Sequence, residues 1–153
     1  MTLFTLENPV FTIWAVAALV TAVKILLQGW ATVHVMLREN AGFAAPEDLR
    51  RTALNTAPDP AQLAPNDKVE RSRRMHRNDL ENIPAFWVIG LVFVATDPPL
   101  WAAWLCLGGF VLSRACHTIA YATAQNHEVR ATFWTIGSVL TIAMAVWSLI
   151  AIV

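Results

Sequence analysis

Three observations predict an all-α integral membrane protein, a bundle of four transmembrane helices. Charge is scarce: 11 Lys and Arg balance 11 Asp and Glu in 153 residues, so 14% of the chain is charged and 56% is hydrophobic. A soluble domain carries about a quarter charged residues. The charge is also unevenly placed, with sixteen of the charged residues between Arg38 and Glu81. Finally, residues 131–153 run for 23 positions with no charge. At about 1.5 Å per residue that stretch spans about 34 Å as a helix, enough for a hydrocarbon core about 30 Å thick.

Each element follows from its boundaries. Asn8-Pro9 is a start signal, with Asn at the N-cap and Pro at the first helical position, and the apolar run behind it predicts a helix over 9–38. A polar loop over 39–66 holds four of the eight prolines. A second helix is expected over 67–96, opening on a charged stretch and continuing into the uncharged residues 82–96. Asp97-Pro98-Pro99 marks a turn and a third helix over 98–125. A short link leads to a fourth over 128–152, and so short a link implies antiparallel neighbours. All residues 1–153 form one domain. Trp14, Trp87, Trp101, Trp104 and Trp147 read as lipid-facing or interfacial aromatics, and Gly108-Gly109 as a close helix contact.

Lys and Arg set the orientation. Arg38, Arg50, Arg51, Lys68, Arg71, Arg73, Arg74 and Arg77 all flank or occupy the first loop, whereas residues 1–23 and the 97–99 turn have none. The positive-inside rule puts that loop and the 125–130 turn in the cytoplasm and both termini on the other side. The first charge is Glu7 rather than a basic cluster, which argues against a signal peptide and is compatible with a bacterial inner membrane. Zero net charge excludes nucleic-acid binding through bulk positive charge. Two cysteines, Cys106 and Cys116, are too few for a disulfide framework or a cysteine-based metal site, and no metal is expected.

Three constellations put polar chemistry at membrane depth. Arg74, Arg77, Asn78 and Glu81 recur at helical spacing and share one face of the second helix, with Glu70 just before them. Arg114, His117, Thr118 and Tyr121 do the same in the third helix, and Arg130 and Trp134 lie one turn apart in the fourth. Some of these have plain structural readings: headgroup contacts for the arginines, an Arg77–Glu81 helix pair, or an Arg114 neutralised by a carboxylate of the second helix. Lys24 is placed to pair with Glu81 or Asp79, or to line a cavity. An intramembrane charge is nevertheless costly unless paired or functional. Guanidinium groups from three helices suit a small, multiply anionic ligand. Glu81 adds a partner for an amine, so a peptide-like molecule with two carboxylates and one ammonium fits.

The run Glu70-Arg71, Arg74 and His76-Arg77-Asn78-Asp79-Leu80-Glu81-Asn82-Ile83-Pro84 resembles the signature of the MAPEG proteins, the membrane-associated proteins in eicosanoid and glutathione metabolism. Phe43-Ala44-Ala45-Pro46-Glu47-Asp48 is similar to the family's loop, and Arg114-Ala115-Cys116-His117-Thr118-Ile119-Ala120-Tyr121 to its third helix. The likeness covers essentially the whole chain and is closest to the prostaglandin E synthase and microsomal glutathione transferase branch.

The resemblance implies a homotrimer with glutathione as co-substrate, bound between neighbouring subunits near the cytoplasmic face. By motif match Arg74, Arg77, Asn78, Glu81, His117 and Tyr121 would hold it, with Thr118 and Trp134 alongside and Arg38 as a looser match. Arg130, matched to an arginine near the thiol and assigned to the adjacent subunit, would stabilise the thiolate. Asp48 matches a loop aspartate given a catalytic role in prostaglandin isomerisation. Arg114, Lys24 and Glu70 would support the site from behind. Where the isomerase branch has a serine and a tyrosine, this sequence has Ala131 and Trp134. The expected activity is therefore a glutathione transferase or peroxidase acting on lipophilic electrophiles or lipid hydroperoxides from the bilayer. An endoperoxide isomerase and a non-catalytic lipid-binding member of the same fold are the alternatives.

Overall fold

The computed structural model describes residues 3–153, and every regular element in them is helical. Four long helices form the molecule: α1 (Pro9–Glu39), α2 (Asp67–Ala95), α3 (Leu100–Ala122) and α4 (His127–Ile152). α1, α3 and α4 are long and apolar enough to cross a membrane. α2 is charged through its first half and apolar from Ile83 onward, and it packs against α1, α3 and α4.

Asparagine starts three of the four helices, because its side-chain oxygen accepts from backbone N–H groups left orphaned in the first turn. Asn8 accepts from Val10 N at 3.0 Å, Asn66 from Lys68 N at 3.0 Å and Asn126 from Val129 N at 3.0 Å. α3 begins at Leu100 rather than 98, after the imino nitrogens of Pro98 and Pro99. It stops at Ala122 rather than 125, where the turn places Ala124 at φ 56°. Within α3 one wide turn, Trp104–Gly108, interrupts the regular ladder.

The loop after α1 is tied down by polar contacts. Two short 3-10 turns, Pro46–Leu49 and Pro60–Leu63, lie in it. Buried Gln62 donates to Asn40 Oδ1 at 2.7 Å and accepts from Asn55 Nδ2 at 2.8 Å. Arg73 of α2 pairs with Glu70 and donates to Gly42 O at 2.6 Å. Gly42 stands at φ 73° with its backbone against Val69, so a side chain there would be strained and crowded.

The interior mixes apolar packing with satisfied hydroxyls. Phe86 and Phe110 stack with centroids 3.9 Å apart, beside Ile83, Phe93, Leu107 and Met144. Thr21, Ser113, Thr141 and Ser148 each donate to a carbonyl three or four residues earlier, which keeps buried hydroxyls paired inside a helix. The outside is apolar, with Trp101 and Trp104 65% and 61% exposed, as a lipid-facing surface should be. Two of the tryptophans expected at the lipid boundary instead lie inward. Trp14 Nε1 donates to Trp87 O at 3.2 Å, and Trp87 Nε1 donates to Thr21 Oγ1 at 2.9 Å, which removes both indole donors from the hydrocarbon.

Of the Gly108-Gly109 pair, only Gly109 faces another helix: a Cβ added there would stand 3.0 Å from Leu140. The tightest approaches are at Gly137 and Gly90. A Cβ on Gly90 would stand 2.9 Å from the Trp14 ring, which its own hydrogen bond holds in place. Gly90→Ala should therefore destabilise the bundle by about 1–3 kcal/mol through overpacking, read as a lower thermal midpoint in detergent. An unchanged midpoint would show that Trp14 gives way freely.

Candidate functional site

Tyr121, near the end of α3, organises the polar end of the bundle. The His117 ring meets it edge-on at 4.9 Å, one turn earlier on the same helix. The Arg130 guanidinium, in the first turn of α4, stands 4.7 Å over the Tyr121 ring, and its Nε donates to Asn126 O at 3.2 Å. Asn78 of α2 and Trp134 of α4 complete the wall of a cavity of about 300 Å³ with these three residues, Ala131, His127 and Thr135. Five residues singled out from the sequence (Asn78, His117, Tyr121, Arg130 and Trp134) thus meet in one place. His117 is buried, and its Nδ1 has no hydrogen-bond partner among the described residues.

Arg130 is positioned by its own chain. Within one chain it stands over Tyr121 and lines the same cavity; the sequence expectation that it serves the site of an adjacent subunit concerns an assembly of several chains. Arg74, Arg77 and Glu81 are exposed on α2, and no ion pair or hydrogen bond among the described residues engages their side chains. An Arg77–Glu81 helix pair does not form, which leaves all three side chains free for a ligand.

Other residues go elsewhere. Arg38 lines another cavity, of about 500 Å³, together with Lys68, Arg71 and Tyr121, which borders both. Thr118 donates to Arg114 O at 2.8 Å and lines a third, apolar cavity of about 600 Å³ beside Lys24, Gln28 and Met75. Asp48 is not at the Arg130 cavity; its carboxylate accepts from Ala45 N at 3.1 Å and caps the first 3-10 turn. Glu70 does not line the Arg130 cavity; it pairs with Arg73, which ties α2 to the loop at Gly42.

A model described as the MAPEG family matches residues 13–150 of the sequence. The chain belongs to the MAPEG family. Microsomal glutathione S-transferase 1 of Bos taurus is 37% identical over 140 residues, covering 92% of this MAPEG chain and 89% of that protein. The human protein of the same name is 36% identical over 141 residues, with the same coverage. Human prostaglandin E synthase is 29% identical over 140 residues, covering 92% of this chain and 88% of that one. Family membership and three helices able to span a bilayer make this an integral membrane protein.

Two lining residues of this MAPEG cavity escaped the sequence reading. His127 lies one turn before Arg130 and Ala131, and Thr135 one turn after Ala131, so helical spacing from Arg130 would have found both. The sequence offers Asp79 as a partner for Lys24, and a carboxylate of the second helix as the partner of Arg114, without saying which one. Asp79 is fully buried and takes both parts, pairing with Lys24 on one side and standing 3.7 Å from Arg114 on the other.

Proposed function

We propose that this protein is a membrane-embedded glutathione transferase that holds the glutathione thiolate at Arg130 and directs it at lipophilic electrophiles, with peroxide reduction as a second outcome of the same chemistry. The observation that carries the reading is the meeting of Arg130, Tyr121, His117 and Asn78 around one small cavity, with Arg74, Arg77 and Glu81 uncommitted on α2. The two arginines suit the carboxylates of the tripeptide, and Glu81 suits its ammonium group. The name of the relatives called microsomal glutathione S-transferase 1 supports the same co-substrate.

The step is nucleophilic displacement. A free thiol has a pKa of about 8.5, and only the thiolate attacks. Arg130 carries a permanent charge within the first turn of α4, where the helix dipole adds further positive potential. Together they favour loss of the thiol proton to solvent. The sulfur lone pair then forms a bond to an electrophilic carbon as the leaving group departs with its bonding electrons. With a hydroperoxide the sulfur takes the distal oxygen, an alcohol leaves, and a second glutathione reduces the sulfenic acid to disulfide and water. Ala131 and Trp134 bring no hydroxyl of their own to this cavity, whose hydroxyls are those of Tyr121 and Thr135, so the serine and tyrosine of the isomerase branch are not reproduced at their positions.

The reading extends to the assembly. The chain is proposed to work as a homotrimer in a bacterial inner membrane, with the site at the cytoplasmic face and the termini opposite. Asp48 is given no step in the mechanism. The test is a difference spectrum of the purified protein with glutathione, followed by turnover of an aryl halide. Thiolate absorbance near neutral pH and conjugate formation are expected. Neither appearing would overturn the proposal.

A further inference from the structure

Behind the cavity lies a row of charges, Asp79 and Arg114 buried and Lys24 partly so, that the proposed chemistry does not use. Lys24 of α1 pairs with Asp79 of α2 and donates to Gln28 Oε1 at 3.2 Å. Asp79 Oδ1 stands 3.7 Å from Arg114 Nη1 of α3, and the same Nη1 donates to Asn78 Oδ1 at 3.2 Å. Asp79 and Arg114 are 0% and 1% exposed. The row therefore joins three helices and ends on a residue of the cavity wall.

We infer that Lys24, Asp79 and Arg114 form a positioning relay that fixes the Asn78 amide with its Nδ2 end toward the cavity, as a donor to the anionic ligand. The inference rests on the glutathione reading above.

The orientation follows from donor chemistry. Arginine has five N–H donors and no acceptor, so the Asn78 atom facing Arg114 must be its oxygen. The amide nitrogen must then face away, and Asn78 lines the Arg130 cavity. Arg114 can hold that register only if its own guanidinium is held, and Asp79 is the carboxylate beside it. Asp79 is held in turn by Lys24, 55 residues earlier. The row contains two cations and one carboxylate, so it carries a net positive charge into a low-dielectric interior. Such a charge is costly alone and is offset by an anion nearby. A bound thiolate or carboxylate in the adjoining cavity supplies that counter-charge. Arg114 Nε and Nη2 have no partner among the described residues, which keeps its potential undiminished on that side.

A double-mutant cycle on glutathione affinity in the purified full-length protein tests this. Arg114→Gln should weaken glutathione binding about tenfold, the cost of one hydrogen bond in a charged network. Asn78→Ala should weaken it similarly, and the double variant should be no worse than Asn78→Ala alone. If Arg114→Gln does not fold, Arg114→Lys replaces it in the cycle: it keeps the charge but loses the fork that spans Asp79 and Asn78. Additive losses would overturn the relay, because Arg114 would then act independently of Asn78. Wild-type protein that fails to bind glutathione would overturn the underlying function and the relay together, whereas wild-type binding with additive losses sinks the relay alone.

Discussion

Arg130→Ala should lower conjugation at pH 7 by about ten- to 25-fold and recover most of the loss as the pH rises toward 9. The sign follows from which form Arg130 favours. A guanidinium beside the sulfur stabilises the thiolate, so its removal raises the pKa of the bound thiol. Moving that pKa from about 6.5 back to about 8.5 corresponds to about 2.7 kcal/mol, and it reduces the thiolate fraction at pH 7 from about three quarters to about 3%. The α4 N-terminus persists in the variant and retains part of the effect, which sets the lower end of the range. Above the raised pKa the thiolate forms without help, so the two proteins converge. Arg130→Lys should fall between them, because a lysine keeps the charge but not the planar fork that lies over Tyr121. The measurement is the conjugation rate across that pH range at saturating glutathione. Superimposable profiles for wild type and Arg130→Ala would remove Arg130 from the chemistry.

The largest effect on stability is expected at Asp79. Asp79→Asn leaves the Lys24 and Arg114 charges facing one another at membrane depth with no carboxylate between them. Breaking a buried pair in this way costs about 3–5 kcal/mol, much of it the penalty of the stranded charge. A matched loss of folded protein in detergent, or a clear drop in thermal midpoint, is expected. Replacing the whole row by apolar residues, Lys24→Met with Asp79→Leu and Arg114→Met, should return stability close to wild type, since no buried charge remains to be compensated. That triple variant should still bind glutathione poorly, because Asn78 loses its anchor. An Asp79→Asn protein as stable as wild type would mean that water reaches the row and that the cluster is not dry.

These two residues also mark how far the sequence could be read. Arg130 stood out because it lies directly before the charge-free run 131–153, and a capped first turn is local chemistry. The helices themselves were legible for the same reason. Charge-free runs, prolines and the asparagine caps act over a few residues, and they put the boundaries within a few positions of those observed. The misplaced ends of α3 lay beside Pro98-Pro99 and at the left-handed Ala124, where backbone geometry rather than hydrophobicity decides. Asp79 was harder. It sits next to Asn78 and two positions from Glu81, yet it is buried while Glu81 is exposed. Spacing divides α2 into faces but does not say which face meets α1 and α3. Trp14 and Trp87 failed as lipid-facing residues for the same reason, each finding its hydrogen-bond partner on or near the other's helix.

By itself the sequence determined the membrane class, the four helices, the charged loop at one end and the polar residues of α2, α3 and α4. These depend on hydration and on short-range backbone chemistry, both of which are written residue by residue. Only the tertiary structure decided that Arg130 stands over Tyr121 of its own chain, that Arg38, Thr118 and Asp48 do not line the same cavity, and that Lys24, Asp79, Arg114 and Asn78 form one row. Those contacts join residues 55 and 36 positions apart, and their partners are chosen by how helices rotate to bury apolar area and neutralise charge, a balance that no single segment contains.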